Sequence, residues 1–365
     1  MKKDFDLKAE KKSINIKLPE VSELTDQQKE ILDETGAVAI YGGAGTGKTV
    51  LSIWKHILNW EERYIKSYLI TYTHSLTKYL FESIKTKSLK ASQHIENKDR
   101  FTNNPNIEML IIDEAQDIPI EDYINNNRKV TGHKTYNSLY EKISYGADNK
   151  QILYPDHNST QEELNDAYQN KEFFLKQNFR NSYEILNFVK NIFPTYGISK
   201  EMINHSKEKF LFDEKPIIYY SKDKSNRDLF IISLLKKLQK NKIAILIPTI
   251  KMFHYYKKIL ENNKIEFSYY NNEQKGDIRY KGIENIHLTT FKSSKGLEFD
   301  SIIIPESHNL NYWAKKDDKS IINANDYYVG MSRAKEQLYL ISDNKEIFDI
   351  NQLKIDSSLY EIENI

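Results

Sequence analysis

Residues 41–50 read YGGAGTGKTV, a glycine-rich stretch that ends in Gly47-Lys48-Thr49. It matches G-x-x-x-x-G-K-[ST], follows the apolar run GAVAIYGG (36–43), and opens KTVLSIWKHILNWEERY (48–64), where apolar residues recur at helical spacing. A strand, a glycine loop and a helix in that order form a phosphate cradle, because loop N–H groups and the helix N-terminus face the anion together. Gly43, Ala44, Gly45, Thr46 and Gly47 form the expected loop, and the N–H groups of Gly45 to Lys48 would wrap a β-phosphate. Lys48 would neutralise β/γ oxygens, and Thr49 would offer its hydroxyl to Mg²⁺.

LIIDEAQD (110–117) supplies a second half to this site. An apolar strand that ends in Asp113 puts a carboxylate at the strand's carboxyl edge, where Mg²⁺ would sit. Glu114 beside it can act as base or positioner for an attacking water. Together the two stretches predict a domain that hydrolyses ATP or GTP.

Length and composition set the frame. The chain has 365 residues, about right for two domains. A net charge of +1 carries no bulk positive field, so a nucleic-acid partner must be held locally. With no cysteine, disulfides, thiolate catalysis and Cys-based zinc sites are excluded. The opening MKKDFDLKAEKKSINIKLPE has no apolar core of a signal peptide, and no apolar run approaches the roughly 20 residues that span a bilayer. A soluble, cytoplasmic protein is expected.

Buried strands are expected at 36–43, 68–73, 107–115 and 142–148, then at 173–179, 242–249, 265–270, 285–291, 299–305 and 337–342. Amphipathic stretches such as 181–193 and 251–263 separate them. Strands alternating with helices predict parallel sheets covered on both faces. Two such series predict two α/β domains with a boundary near 170.

DEAQD, rather than a bare DE, carries the resemblance further. In motif content and order the chain resembles the UvrD/Rep/PcrA-like superfamily 1 helicases. That resemblance implies two RecA-like parallel-sheet domains, over 1–170 and 171–365, with ATP and Mg²⁺ in the cleft between them. LTDQQKEIL (24–32) resembles the Q motif, with Gln28 in the adenine-reading position, and GGAGTGKT is similar to motif I. LITYTHSLT (69–77) resembles motif Ia, which puts Tyr72, Thr73 and His74 against a nucleic-acid strand. GADNKQILY (146–154) resembles motif III, with Gln151 sensing γ-phosphate and Tyr154 as a base platform.

KQNFRNSYEIL (176–186) resembles motif IV, with Arg180 as a γ-phosphate arginine and Phe179 stacking on adenine. TTFKSSKGLEFD (289–300) resembles motif V, with Lys292 in a strand-contacting position and Glu298 on the ribose. YYVGMSRAKEQLYL (327–340) resembles motif VI, with Arg333 as a second arginine finger. Two of the seven arginines thus fall where a planar fork facing phosphate is wanted. Both are expected to lie outside the core.

The spacing departs from the family. Only about 30 residues separate motif Ia from motif II, where duplex-unwinding relatives carry an accessory domain, and the stretch 246–296 runs almost straight into motif V. Small remnants of the insertions are expected near 82–106 and 271–284. The resemblance implies an ATP-driven motor on single-stranded DNA, RNA not excluded, moving 3′ to 5′. The missing insertions support an alternative, an ATP-gated regulatory subunit of a nuclease-containing repair or anti-phage defence complex. The lysines of 236–264 are either a phosphate-binding surface or a solvated face.

Overall fold

The computed structural model describes residues 18–98, 100–101, 106–118, 142–152, 158–209, 214–238, 241–270, 285–307, 324–343 and 355–364. In chain order the first lobe contains α1 (Asp26–Asp33), β1 (Val38–Gly42), α2 (Lys48–Glu61), β2 (Ser67–Thr71), α3 (His74–Lys85), α4 (Leu89–Ser92) and β3 (Ile95–Asn97). It continues with β4 (Met109–Ile112), β5 (Lys142–Ala147), α5 (Gln161–Tyr168) and β6 (Lys171–Leu175). The remainder contains α6 (Tyr183–Ile192), α7 (Lys200–Lys209), β7 (Ile217–Tyr220), α8 (Lys224–Lys237), β8 (Ile243–Ile247) and α9 (Ile250–Asn262). It closes with β9 (Ser268–Tyr270), β10 (Ile286–Thr290), β11 (Phe299–Ile304), α10 (Ala324–Met331), β12 (Ala334–Ser342) and β13 (Glu361–Asn364).

The strands form two sheets, ordered β3-β2-β4-β5-β1-β6 and β13-β7-β12-β11-β8-β10-β9. Every recorded pairing is parallel. Parallel strands are buried on both faces by their crossover helices, which is why β4 (MLII) and β8 (IAILI) are apolar and buried along their whole length. In such a sheet the loops at the carboxyl ends carry the chemistry. Here those loops are the Gly42–Lys48 turn after β1, Asp113-Glu114 after β4, and Asp148 after β5.

Two expectations shift. The strand expected to open the second domain, β6, pairs with β1 from Val38↔Lys171 to Gly42↔Leu175. The chain therefore leaves the first sheet after Leu175 rather than at 170. The stretch expected as an insertion remnant near 82–106 builds α4 and β3, and β3 is an edge strand of the first sheet, paired with β2. The remnant expected at 271–284 lies outside the described residues. Strands β3, β7 and β13 have no counterpart in the sequence reading.

The lobes share one apolar core. It joins Ile31, Leu51 and Leu80 on the first lobe to Leu246, Leu340 and Tyr328 on the second. Smaller cores sit under β8 and α9 and under β4 and β5.

Candidate nucleotide site in the interlobe cleft

Backbone geometry builds the phosphate loop. Gly45 (φ 75°) and Gly47 (φ 97°) occupy the left-handed region, where a β-carbon is penalised. There is no room for one either. A Cβ at Gly45 would lie 2.7 Å from Asn178 Nδ2 and 2.9 Å from Arg180 Cβ, and one at Gly47 would lie 2.7 Å from Gln28 Nε2. Gly47 caps α2, so the loop N–H groups converge at the helix N-terminus. Lys48 is buried and its Nζ donates to the Gly42 carbonyl at 2.6 Å and the Gly43 carbonyl at 3.0 Å. Burial lowers its pKa, while Asp148, Glu114 and Asp113 act in the opposite sense.

Two acids follow β4. Thr49 Oγ1 donates to Asp113 Oδ2 at 2.9 Å, and the buried Asp113 Oδ1 has no hydrogen-bond partner. Burial, then the charge of Glu114, raises the Asp113 pKa. Glu114 has a left-handed backbone (φ 58°, ψ 46°), an uncommon conformation for a non-glycine residue. Its Oε2 accepts from Gln116 Nε2 at 2.7 Å and lies 3.4 Å from Lys295 Nζ. Burial alone would raise its pKa, but Lys295, Lys48 and Arg333 outweigh burial and lower it.

The donor set at Asp113 fits Mg²⁺. A hydroxyl and a carboxylate with an orphaned buried oxygen are hard ligands, and Mg²⁺ is typically held by one or two protein groups plus phosphate oxygens and water. Among the described residues no group of three or more His, Cys, Asp or Glu could hold a metal.

The second lobe reaches across. Arg333 Nη2 donates to Gln151 Oε1 at 2.6 Å, while its Nε donates to the Val329 carbonyl at 2.9 Å. Gln151 Nε2 in turn donates to Asp148 Oδ2 at 2.7 Å. Arg333 is 1% exposed, contrary to the expectation that it lies outside the core. Burial, then the nearby Arg180, pushes its pKa down to about 9. Arg180 is only partly buried: its Nε pairs with Glu298 Oε2 at 3.3 Å, and its Nη1 donates to the Ser332 carbonyl at 3.4 Å. Glu298 also takes Lys335 Nζ at 2.6 Å. Burial would raise the Glu298 pKa, but Lys335 and Arg180 hold it down to about 2.

These groups share one cavity of about 680 Å³. Lys48, Thr49, Glu114, Gln151, Arg180 and Arg333 line it, as do Gln28 and Phe179. Gln28 is the third residue of a capping box on α1: its Oε1 accepts from Thr25 N at 3.0 Å, and its Nε2 points at the loop. The Phe179 amide donates to the Gly45 carbonyl at 2.8 Å, and its ring meets His205 edge-on and carries Lys209 Nζ over its face.

The expected strand contacts lie apart from this cavity. Tyr72, Thr73 and His74 are half-buried at the carboxyl end of β2, with the Thr73 hydroxyl capping α3 and Lys98 Nζ 4.4 Å from the Tyr72 ring centre. Lys292 opens the turn after β10. Tyr154 lies outside the described residues. Of the lysines of 236–264, Lys240 lies outside the described residues. Lys236 and Lys237 end α8, whereas Lys251 opens α9, on the far side of a strand about 17 Å long.

The sequence reading assigned no role to Lys295, Gln116, Asp148, Asn178 or Asn181. Asn178 Nδ2 donates to the Ala44 carbonyl at 3.0 Å, and Asn181 Nδ2 to the Ser332 and Ala334 carbonyls at 3.0 and 2.6 Å. Together they brace Arg180 between the phosphate loop and β12.

Residues 268–345 match the model of the UvrD-like helicase C-terminal domain, and residues 36–213 match the Schlafen group 3 DNA/RNA helicase domain. The chain is 23% identical over 257 residues to a probable DNA helicase of Mycoplasma pneumoniae, covering 67% of this chain and 45% of that protein. It is 26% identical over 188 residues to Gabija protein GajB of Bacillus cereus, covering 49% of this chain and 34% of that protein. The chain thus spans less than half the length of either relative. The solved structure of S. cerevisiae Dbp5 bound to RNA and ADP BeF3 covers 93% of this chain, and 90% of that chain is covered in turn. The likeness, with a TM-score of 0.54 at 11% identity, is one of fold. No helix among the described residues is long and apolar enough to cross a membrane.

Proposed function

We propose that this chain, which matches the UvrD-like helicase C-terminal domain over residues 268–345, is an ATP-driven motor on single-stranded DNA built of two RecA-like domains. In this reading ATP lies in the interlobe cavity with its phosphates on the Gly43–Lys48 loop. Mg²⁺, when bound beside Thr49 and Asp113, supplies charge neutralisation at the β- and γ-oxygens. Glu114 is the base. Both of its recorded contacts fall on Oε2, which leaves Oε1 to accept the proton of the attacking water. Lys48 neutralises phosphate oxygens from the first lobe, while Arg180 and Arg333 face the transferring phosphoryl group from the second.

Gln28 and Phe179 receive adenine, Glu298 the ribose, and Gln151 the γ-phosphate. Because Gln151 bonds Arg333 across the seam, a change at the γ-phosphate reaches both lobes. Tyr72, Thr73, His74 and Lys292 contact the strand, which the motor follows 3′ to 5′; RNA could take the same path.

The observation that carries this reading is the convergence of Lys48, Glu114, Arg180 and Arg333 on one cavity between lobes. The test is ATP turnover with Mg²⁺, with and without single-stranded DNA. Strand-stimulated turnover is expected, and turnover indifferent to strand at every concentration removes the motor.

One observation favours a second reading. From β2 to β4 the chain builds only α3, α4 and β3 among its described residues, with no accessory domain to grip a duplex. An ATP-gated regulatory subunit of a nuclease-containing complex needs only such a core. It would bind strand without displacing a complement and would co-purify with a nuclease.

A further inference from the structure

A buried polar atom without a partner destabilises the fold, so one that lies beside a binding site calls for an explanation. Asp113 Oδ1 finds one in the proposed Mg²⁺, whereas the buried hydroxyl of Tyr328 also lacks a hydrogen bond and has none. Tyr328 sits on α10 of the second lobe, five residues before Arg333, and is fully buried. Its ring is fixed on one side by Tyr196 at 4.8 Å and 53°, and by Phe193 edge-on at 5.9 Å and 77°. Tyr196 is itself anchored. Its hydroxyl donates to Asn325 Oδ1 at 2.6 Å, and Asn325 Nδ2 donates to the Ile152 carbonyl at 2.8 Å. A ring held in this way leaves its oxygen little freedom to find a partner elsewhere.

The oxygen faces the phosphate loop. The Ala44 N–H approaches it without completing a hydrogen bond, and Asp148, Arg333 and Arg180 act on it from around. Burial, then Asp148, raises its pKa, so the hydroxyl stays protonated. On the loop side, carbonyls rather than amides are fastened. The Gly43 carbonyl accepts from Thr46 Oγ1 at 2.9 Å, and the Ala44 carbonyl from Asn178 Nδ2 at 3.0 Å. Lys48 Nζ also holds the Gly42 and Gly43 carbonyls. In the nucleotide reading Lys48 leaves both for phosphate, and the loop loses two of its ties.

We infer that Tyr328 is a positioning residue of the phosphate loop, whose hydroxyl accepts the Ala44 N–H once nucleotide has drawn Lys48 away and so ties the loop to the second lobe. The inference rests on the reading of the cavity as a nucleotide site. It gives the hydroxyl a bond in the bound state that it lacks in the free one. Replacing an unpartnered buried hydroxyl by an apolar group of the same shape is nearly neutral or stabilising. Loss of the oxygen should therefore separate stability from nucleotide binding, which a purely structural tyrosine would not do.

The experiment measures affinity for a fluorescent ATP analogue with Mg²⁺, ATP turnover and thermal unfolding of the full chain, unsubstituted and as Tyr328→Phe and Tyr196→Phe. Without nucleotide, the melting midpoint of Tyr328→Phe should match or exceed the parent's. Its analogue affinity should fall about fivefold, the size of one neutral hydrogen bond made only in the bound state. Its kcat at saturating ATP should stay within about twofold, because the bond is the same in ground and transition states. Tyr196→Phe removes a hydroxyl from the same aromatic cluster and should leave affinity within about twofold of the parent's. Parental affinity in Tyr328→Phe overturns the inference. So does a midpoint several degrees lower without nucleotide, since the hydroxyl would then have its partner in the free protein. An equal loss of affinity in Tyr196→Phe assigns the effect to packing of the cluster and overturns it too. A parent that binds no ATP analogue overturns the nucleotide reading itself, so the two failures are distinct.

Discussion

Arg333→Ala separates a catalytic role from a structural one, because the structure bounds each cost. Truncation removes three bonds, at 2.6 Å to Gln151 Oε1, at 2.9 Å to the Val329 carbonyl and at 3.3 Å to Ser332 Oγ. The Val329 carbonyl keeps a donor in Ser332 Oγ at 2.9 Å, and Gln151 keeps its bond to Asp148. Only Gln151 Oε1 is left wanting, which costs about 1–3 kcal/mol. Part of that is offset, since the lost cation is one that burial and Arg180 already disfavour. The melting midpoint should therefore fall by only a few degrees, at about 2–4 °C per kcal/mol for a domain of this size. An arginine that meets phosphate across a cleft is worth roughly 10³–10⁵ in turnover, or about 4–7 kcal/mol. Catalysis should thus suffer more than the fold. The assay is kcat for ATP with Mg²⁺ and strand, alongside thermal unfolding and the affinity of a fluorescent ATP analogue. The conservative variant Arg333→Lys would keep a charge but lose the planar fork, and its turnover should fall between the two. An Arg333→Ala protein that stays folded and turns over within about tenfold of the unsubstituted rate would falsify the cleft mechanism.

Gly45→Ala should abolish tight ATP-analogue binding and destabilise the fold by about 1–3 kcal/mol, because it adds a Cβ at φ 75° within 2.7 Å of Asn178 Nδ2; an alanine variant that binds like the parent would refute the loop geometry. Acid should destabilise the protein through His56 and His287, whose pKa values burial depresses to about 3. Their stabilising contribution is complete above the unfolded-state value of about 6.5 and is lost as pH falls from there toward the folded value, with a slope of up to about 1.4 kcal/mol per pH unit for each. Urea midpoints measured from pH 7 to pH 5 should decline accordingly, and a flat profile would show that these rings are not buried neutral.

How much of this was legible in sequence depended on where each partner lay. The phosphate loop was fully legible because its chemistry is local: backbone N–H groups, two left-handed glycines, one lysine and one threonine within a few residues. Asp113 and Glu114 were legible because an apolar strand announces the carboxyl edge where they sit. Lys295 was not, although it stands inside the stretch that resembles motif V, because its partners Glu114, Asp117 and Gln151 are separated from it by more than a hundred residues. Arg333 was placed correctly along the chain and wrongly in depth. An arginine reads as a surface residue until the seam that encloses it is visible. β6 was assigned to the wrong sheet for a related reason, since hydrophobicity marks a strand but not which neighbour it pairs with. The lysines of 236–264 show the converse. Proximity in sequence suggested either a phosphate-binding patch or a solvated face, and the crossover puts Lys251 at the end of β8 opposite Lys236 and Lys237.

The distribution of charge across the seam links nucleotide to closure. At the seam the acids Asp113, Glu114, Asp117 and Asp148 lie on the first lobe beside Lys48, and the cations Arg180, Lys295, Arg333 and Lys335 lie on the second beside Glu298. Three of these cations are spoken for, Lys295 by the acids opposite and Arg180 and Lys335 by Glu298. Arg333 is not. Its strongest acceptor is a neutral amide, and Arg180 opposes its charge. A γ-phosphate between Arg180 and Arg333 would turn that repulsion into attraction for both, and its departure would restore the repulsion. In the proposed cycle the closed seam is therefore most stable with the triphosphate intact and weakest once phosphate has left. Lys295 alone, already neutralised by Asp117 and Glu114, cannot supply that dependence. In that cycle the switch for opening would lie with the two arginines, and Lys295 would keep the register of whatever closure they permit.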